Sequence, residues 1–442
     1  MSAAPNVKPV DHPSFAEAFR TYSRIGALSF GGPAGQIALM HRILVDEKRW
    51  IDEPRFLSAL NFCMLLPGPE AMQLATYTGW RLHGVKGGLA AGLLFVLPGA
   101  LVMLGLALFY AHLGNVPQIE AIFLGVKAAV MAIVVEALLR VARRALKGGF
   151  DWLIAAAAFL GIYMLGVPFP VIVMAAAVIG FMRSRGSGAG EAQATGAQVA
   201  RVAHRDTVVT ILIWLAVWVL PLLGVALLFG SGHVLTELAL FYSKLAVVTF
   251  GGAYAVLAYM AQQVVEGYGW LSPGEMLDAL GLAETTPGPL ILVTEFVSFL
   301  AAFRHGCEPQ ILMGILGAVV ALWATFAPCF LWIFAGAPYI EQLNREPRLK
   351  AALAAVTAAV VGVILNLTLW FAVHVLFAKV GLFTAGPIGA AVPEIGSIRV
   401  DALALSVLAF LLLFGLHRGV LTTLVVCAVA SLGYHMAGGF AP

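Results

Sequence analysis

The sequence predicts an all-α, polytopic integral membrane protein built from two homologous halves, and three observations carry that prediction. Hydrophobic residues make up 61% of the 442-residue chain and charged residues only 11%, against roughly 25% charged in soluble domains. Apolar runs follow one another at 88–111, 119–141, 207–229, 311–334 and 351–376, each near or above the ~20 residues that cross hydrocarbon. One pattern of glycine, tryptophan and proline also occurs twice, at a constant offset of 220 residues.

Taken in order, residues 1–13 read as a polar cytoplasmic tail without the composition of a cleavable signal peptide. Residues 14–182 form the first repeat. It contains Ser29-Phe30-Gly31-Gly32-Pro33, then Trp50, then Pro67-Gly68-Pro69. Glycine and proline interrupt a helical hydrogen-bond ladder, so helices broken at FGG and at PGP are expected. Residues 183–206 read as a flexible cytoplasmic linker, rich in Gly, Ala and Ser and flanked by Arg183, Arg185, Arg201 and Arg205. Residues 207–230 are a connecting transmembrane helix. The second repeat, 231–442, restates the pattern as Thr249-Phe250-Gly251-Gly252, Trp270 and Pro287-Gly288-Pro289, with Lys244 where the first has Arg24.

Basic residues place the loops. Arg81 with Lys86, then Arg140, Arg143, Arg144 and Lys147, then Arg345, Arg348 and Lys350 mark inner segments by the positive-inside rule. All fall inside if 53–83 is one crossing made of two half-helices around PGP. The crossing count between repeats is then odd, and the halves form an inverted-topology repeat. If 53–83 is re-entrant instead, the same count makes the halves parallel; the inverted arrangement is the expectation adopted.

Inverted repeats with interrupted helices are a design of secondary transporters. Backbone broken at membrane depth is tolerated only inside protein or along a cavity. A helix starting there presents unpaired N–H groups and a positive dipole end, which suits an anion. The candidate substrate-binding set is therefore Gly31, Gly32, Pro67, Gly68 and Pro69 with their counterparts Gly251, Gly252, Pro287, Gly288 and Pro289. Arg24 and Lys244 add charge before each FGG and are expected to face the bundle interior. Ser29, Thr249 and Thr286 add hydroxyls, as do Thr76, Tyr77 and Thr285, and Glu70 follows the first PGP as a coupling carboxylate or an arginine partner. Glu284 and Glu295 bracket the second PGP, at least one of them expected in a salt bridge. Glu136 and Arg140 form an i,i+4 structural pair, and Trp50 and Trp270 read as interfacial anchors. The plain alternative is that GGP and PGP are packing kinks that let helices approach closely.

Other classes find no support. Ten histidines and four cysteines show no metal-ligand spacing, and no nucleophile elbow, phosphate loop or dinucleotide fingerprint occurs. No metal, cofactor or catalytic residue is expected, the chain is not expected to be an enzyme, and a net charge of +3 does not argue for nucleic acid. The expected partners are the lipid bilayer and a small oxyanion, with a homodimer left open.

The doubled Phe30-Gly31-Gly32-Pro33, Trp50, Pro67-Gly68-Pro69 pattern and its repeat at Phe250, Trp270 and Pro287 resemble the chromate ion transporter family, in its long two-domain bacterial form. One departure is Ala253 where the first half has Pro33. The resemblance implies a multi-pass inner-membrane secondary transporter that exports chromate and gives chromate resistance. Sulfate or another tetrahedral oxyanion stays open as the cargo, as do a carrier of another class and a non-transporting membrane protein.

Overall fold

The computed structural model describes residues 12–114, 116–186, 204–250, 253–340, 346–385 and 388–438. The N-terminal tail up to residue 11, the linker over 187–203, Arg345 and the Gly251-Gly252 pair lie outside the described residues.

In the first half, α1 (Phe15–Leu28) stops before Ser29 and α2 (Gly32–His41) starts after Gly31, whose φ of +85° is open to glycine. Helix α3 (Glu53–Cys63) leads to the PGP segment, and α4 (Glu70–Leu113) follows it. The remaining helices of this half are α5 (Pro117–Ala145), α6 (Gly149–Leu165) and α7 (Phe169–Gly186). Helix α8 (His204–Phe229) is apolar on nearly every side and barely buried, as a lipid-facing connector should be.

The second half restates the order. Helix α9 (Val234–Val248) and α10 (Ala253–Gln262) flank FGG, and α11 (Pro273–Thr285) and α12 (Val293–His305) flank PGP. They are followed by α13 (Gln310–Gly336), α14 (Pro347–Leu376), α15 (Val400–Phe410) and α16 (Val420–Met436). The five long apolar runs of the sequence fall within α4, α5, α8, α13 and α14, the helices long and apolar enough to cross a membrane. The all-α expectation needs one correction. Val380–Ala385 pairs antiparallel with Ile388–Pro393, a glycine-rich connector too interrupted to be helical.

Helix α4 is a hairpin, not a rod. His83 and Gly84 leave helical geometry, and Gly84 takes a φ of +60°. A Cβ at Gly79 would meet the Gly87 carbonyl at 2.4 Å, and one at Gly92 would meet Thr76 Oγ1 at 2.4 Å. In a straight helix, at 1.5 Å per residue, those residues would be far apart. The ring of Phe15 packs on His83 at 5.6 Å, and Glu17 binds Lys48 at 2.7 Å. Residues 15–17, 48 and 83 thus share one end of α1. The segment 53–83 dips in and returns, which corrects the expectation that it makes one crossing; so does 15–48. At the opposite end, Cys307 lies 3.8 Å from His233 and His112 packs on Phe303.

Close approach holds the helices together. Lipid tails are as apolar as leucine, so packing rather than water exclusion drives helix association. A Cβ at Gly26 would lie 1.9 Å from the Leu94 carbonyl, and one at Gly362 would lie 2.1 Å from that of Ala155. Trp50 and Trp270 are buried, 7% and 4% exposed. Both belong to the buried core cluster, and Trp270 stacks on Tyr268 at 4.2 Å.

Candidate functional site

The two motifs meet across the halves. Gly288 donates its N–H to the Ser29 carbonyl at 2.8 Å, and Gly68 donates to the Thr249 carbonyl at 2.9 Å. Each PGP is thereby tied to the FGG of the other half, at positions matched by the repeat offset. Glycine is required at both donors, since Gly68 has φ +119° and Gly288 φ +87°. Two glutamines brace the crossing. Gln36 Nε2 donates to the Gly288 carbonyl at 2.6 Å and to Ser29 O at 3.3 Å, while Gln73 Nε2 donates to Pro67 O at 2.7 Å. Sequence reasoning missed both, because their repeat counterparts, Val256 and Val293, carry no polar signal.

This geometry corrects part of the expected site. The Gly68 and Gly288 amides are engaged by carbonyls and do not point at a ligand. The hydroxyls turn back on their own helices: Ser29 on Ile25 O, Thr249 on Leu245 O, Thr285 on Leu282 O, Thr286 on Ala283 O and Thr76 on Met72 O. Arg24 is exposed and reaches Glu47 at 3.9 Å, and Lys244 is exposed beside the Tyr259 ring. Neither faces the bundle interior. Glu284 accepts from Tyr254 at 2.8 Å, and Glu295 is buried with no bonded partner for Oε2; no ion pair among the described residues involves either. The expected salt bridge is absent there.

What remains is a cavity of about 180 Å³ between the FGG helices. Pro33 and Ala34 from the first turn of α2 line it, with Ala253 and Tyr254 from the first turn of α10. Glu70, which starts α4, and Arg140 and Arg144, from the last turns of α5, complete the polar wall. The helix starts differ in a telling way. At α1, α3 and α11 the first amides are capped by Ser14, Asp52 and Ser272. Helices α2 and α4 have Gly31 and Pro69 at their N-caps with no side-chain cap, as α5 and α13 also lack one. At α2, however, Gly31 and Gly32 in addition have nothing within 4 Å of a Cβ position. Unfilled N–H groups beside open space are what an anion needs.

The two arginines differ. Arg140 is held by Glu136 at 2.5 Å, the i,i+4 pair read from the sequence. Arg144 reaches only Met64 Sδ, at 3.1 Å, and no ion pair among the described residues involves it. Two wider cavities join this one on the same end of the bundle. One of about 560 Å³ shares Arg140 and Arg144 and adds Arg143. The other, about 680 Å³, shares Met64 and Thr357 and carries Lys350. A further cavity of about 320 Å³, near the hairpin of strands, is lined by Gln262, Glu266 and Trp370 and has no cation in its wall. Among the described residues no histidine, cysteine and carboxylate group could hold a metal.

Long apolar helices packed around a cavity walled by Arg140, Arg144 and Glu70 define a multi-pass α-helical membrane protein. The sequence model of the chromate transporter family matches residues 16–181 and 236–433, in two blocks that coincide with the halves. A chromate transport protein of Pseudomonas aeruginosa is 33% identical over 359 residues, covering 79% of each chain. A probable chromate transport protein of Synechococcus elongatus is 30% identical over 359 residues, 80% of this chain and 84% of its own. An uncharacterized transporter of Bacillus subtilis matches over 158 residues at 34% identity, which is 33% of this chain but 75% of its own length. The chain belongs to the chromate transporter family. No solved structure matches it.

Proposed function

We propose that this protein is a secondary transporter that exports chromate from the cytoplasm, and that the cavity between α2 and α10 is where the anion binds. The observation that carries the reading is the meeting of the uncapped start of α2 with Arg144, which makes no ion pair among the described residues. A tetrahedral dianion buried in a membrane protein needs both hydrogen bonds and compensating charge. Here the first turn of α2, entered through Gly31 and Gly32, would supply backbone donors, and Arg140 and Arg144 the charge. Ser29, Pro67, Gly68, Thr249, Pro287 and Gly288 form the frame behind the site, and Glu70 stands beside the arginines.

An inverted repeat supports this reading. The second arm of α4 and its counterpart α13 lie antiparallel, since Gly88 faces Phe334 while Gly92 faces Phe330. Because 15–48 and 53–83 both return to the end they left, neither changes the parity of crossings. Residues 85–113, α5, α6, α7 and α8 then leave an odd count between the repeats. Arg81, Lys86, Arg140, Arg143, Arg144, Lys147, Arg348 and Lys350 share one end of the bundle, which the positive-inside rule makes cytoplasmic. The open, basic cavities therefore face the cell interior, where an exported anion is captured. An inside-negative potential would favour export of two negative charges by about 4.6 kcal/mol per 100 mV, at ~2.3 per charge.

The test is uptake of labelled chromate into inside-out vesicles, with sulfate as competitor. Saturable, potential-driven uptake supports the reading, and competition by sulfate would make the cargo tetrahedral dianions as a class. No uptake above protein-free vesicles would overturn it.

A further inference from the structure

The two ends of the molecule are chemically matched but not equally open. Helices α3 and α11 are repeat counterparts, and so are α5 and α14, which align at Lys127-Ala128-Ala129 and Lys350-Ala351-Ala352. At the end carrying the basic loops, Pro54, Ser58 and Asn61 of α3 face a cavity of about 680 Å³ with Lys350 on its far wall. Their counterparts on α11 are Gly274, Asp278 and Gly281, and there the gap is closed. Helix α11 packs directly on α5. Leu277 is 1% exposed, whereas its counterpart Leu57 is 45% exposed.

A buried polar cluster seals the closed end. Lys127 Nζ lies 3.1 Å from Asp278 Oδ1, and Tyr110 OH donates to Asp278 Oδ2 at 2.9 Å. Asp278 is 4% exposed. Just outside, Arg304 binds Glu275 at 2.5 Å. Lys127 and Tyr110 come from the first half and Asp278 from the second, so the cluster joins the two.

We propose that Lys127, Asp278 and Tyr110 form the outer gate of the transporter, closed here in an inward-open state, and that gate opening frees Lys127 as the outer contact for the departing oxyanion. The inference rests on the transport reading, and the repeat supplies its logic. Lys350 lines the open inner vestibule now; in the alternate state the matched Lys127 would line the outer one, while α3 closes on α14. The chemistry suits a contact that must part. Desolvation nearly offsets the Coulombic gain of a buried ion pair, so rehydrating both partners on opening carries a small penalty. An apolar seal of equal area would resist water far more.

The experiment uses a disulfide across the gate. A Cβ built at Gly281 lies 3.7 Å from Val126 Cβ, within the ~3.5–4.5 Å that a disulfide spans, and replacing Val126 removes the methyl that Cβ would strike. The full chain carrying Val126→Cys and Gly281→Cys, with exposed Cys307 changed to Ser, is reconstituted and oxidised. Cross-linked protein should lose at least nine-tenths of chromate uptake, and reduction should restore it. Full uptake by cross-linked protein would overturn the proposal.

A second arm needs neither a cross-link nor chromate. Asn61→Cys in the Cys307→Ser background reports inner opening through labelling by an impermeant thiol reagent. Adding Lys127→Gln should shift the balance outward and lower that labelling several-fold. Unchanged labelling would show that the pair does not set the conformation. Because labelling needs no substrate, failure of the gate is separable from failure of the transport reading, which would appear as absent uptake by the unmodified chain.

Discussion

The N–H of Gly288 donates to the carbonyl of Ser29 at 2.8 Å, so the second PGP rests on the first FGG. Its repeat counterpart, Gly68 to Thr249 at 2.9 Å, closes a pair of crossed contacts between the halves. The PGP glycines are thus structural, whereas Gly31 and Gly32 have open space around them and lead into the turn of α2 that lines the cavity. Different phenotypes follow for the two motifs.

Gly68→Ala should destabilise the protein. A Cβ there would sit 2.8 Å from Gln73 Nε2 and 2.9 Å from Cys329 Sγ, on a backbone at φ +119°. The left-handed strain alone costs about 1–2 kcal/mol, and the clash adds to it. Thermal unfolding in detergent should move down by several degrees. Gly32→Ala meets nothing within 4 Å, so it should lose less stability and show its defect in chromate affinity. Equal melting shifts in both variants would contradict this division.

Gln36→Leu should also act through stability. It strips the side-chain donor from the Gly288 carbonyl, and an unpaired buried acceptor costs about 1–3 kcal/mol. Membrane abundance and melting temperature should both fall, and chromate should still stabilise whatever folded protein remains. Wild-type stability would show that water replaces the amide.

Much of the fold was legible in the sequence. The five long apolar runs lie inside the long helices because length and hydropathy are local properties. The doubled motif located the crossing of the halves. The return of 53–83 was not legible, since Gly84 takes its φ of +60° inside a run that otherwise reads as helix. Nor could spacing reveal that Gly68 and Gly288 already have partners, because those partners lie in the opposite repeat. Arg140 and Arg144 read as loop charges on the cytoplasmic side; they lie in the last turns of α5 instead, and only the tertiary packing brings them to one cavity with Ala34 and Tyr254. Arg24 and Lys244 drew notice by matching each other, yet symmetry of sequence does not fix which face of a helix turns inward.

Arg24→Gln should therefore leave chromate uptake within about twofold of wild type, because an exposed ion pair such as Arg24 with Glu47 contributes only ~0–1 kcal/mol. Vesicle uptake at matched abundance checks this. A loss of tenfold or more would return Arg24 to the anion path.

The central claim is that the anion binds between the FGG helix starts and the α5 arginines, and Arg144→Gln tests it most directly. Hydrogen bonds to a charged group contribute about 1.5–3 kcal/mol, or roughly ten- to a hundredfold in affinity. The measurement is chromate-dependent thermal stabilisation of the purified protein, with uptake into inside-out vesicles recorded at equal abundance. The account predicts an unchanged melting temperature without chromate, at least tenfold more chromate for the same stabilisation, and a matching fall in uptake. Wild-type chromate dependence in Arg144→Gln would contradict it.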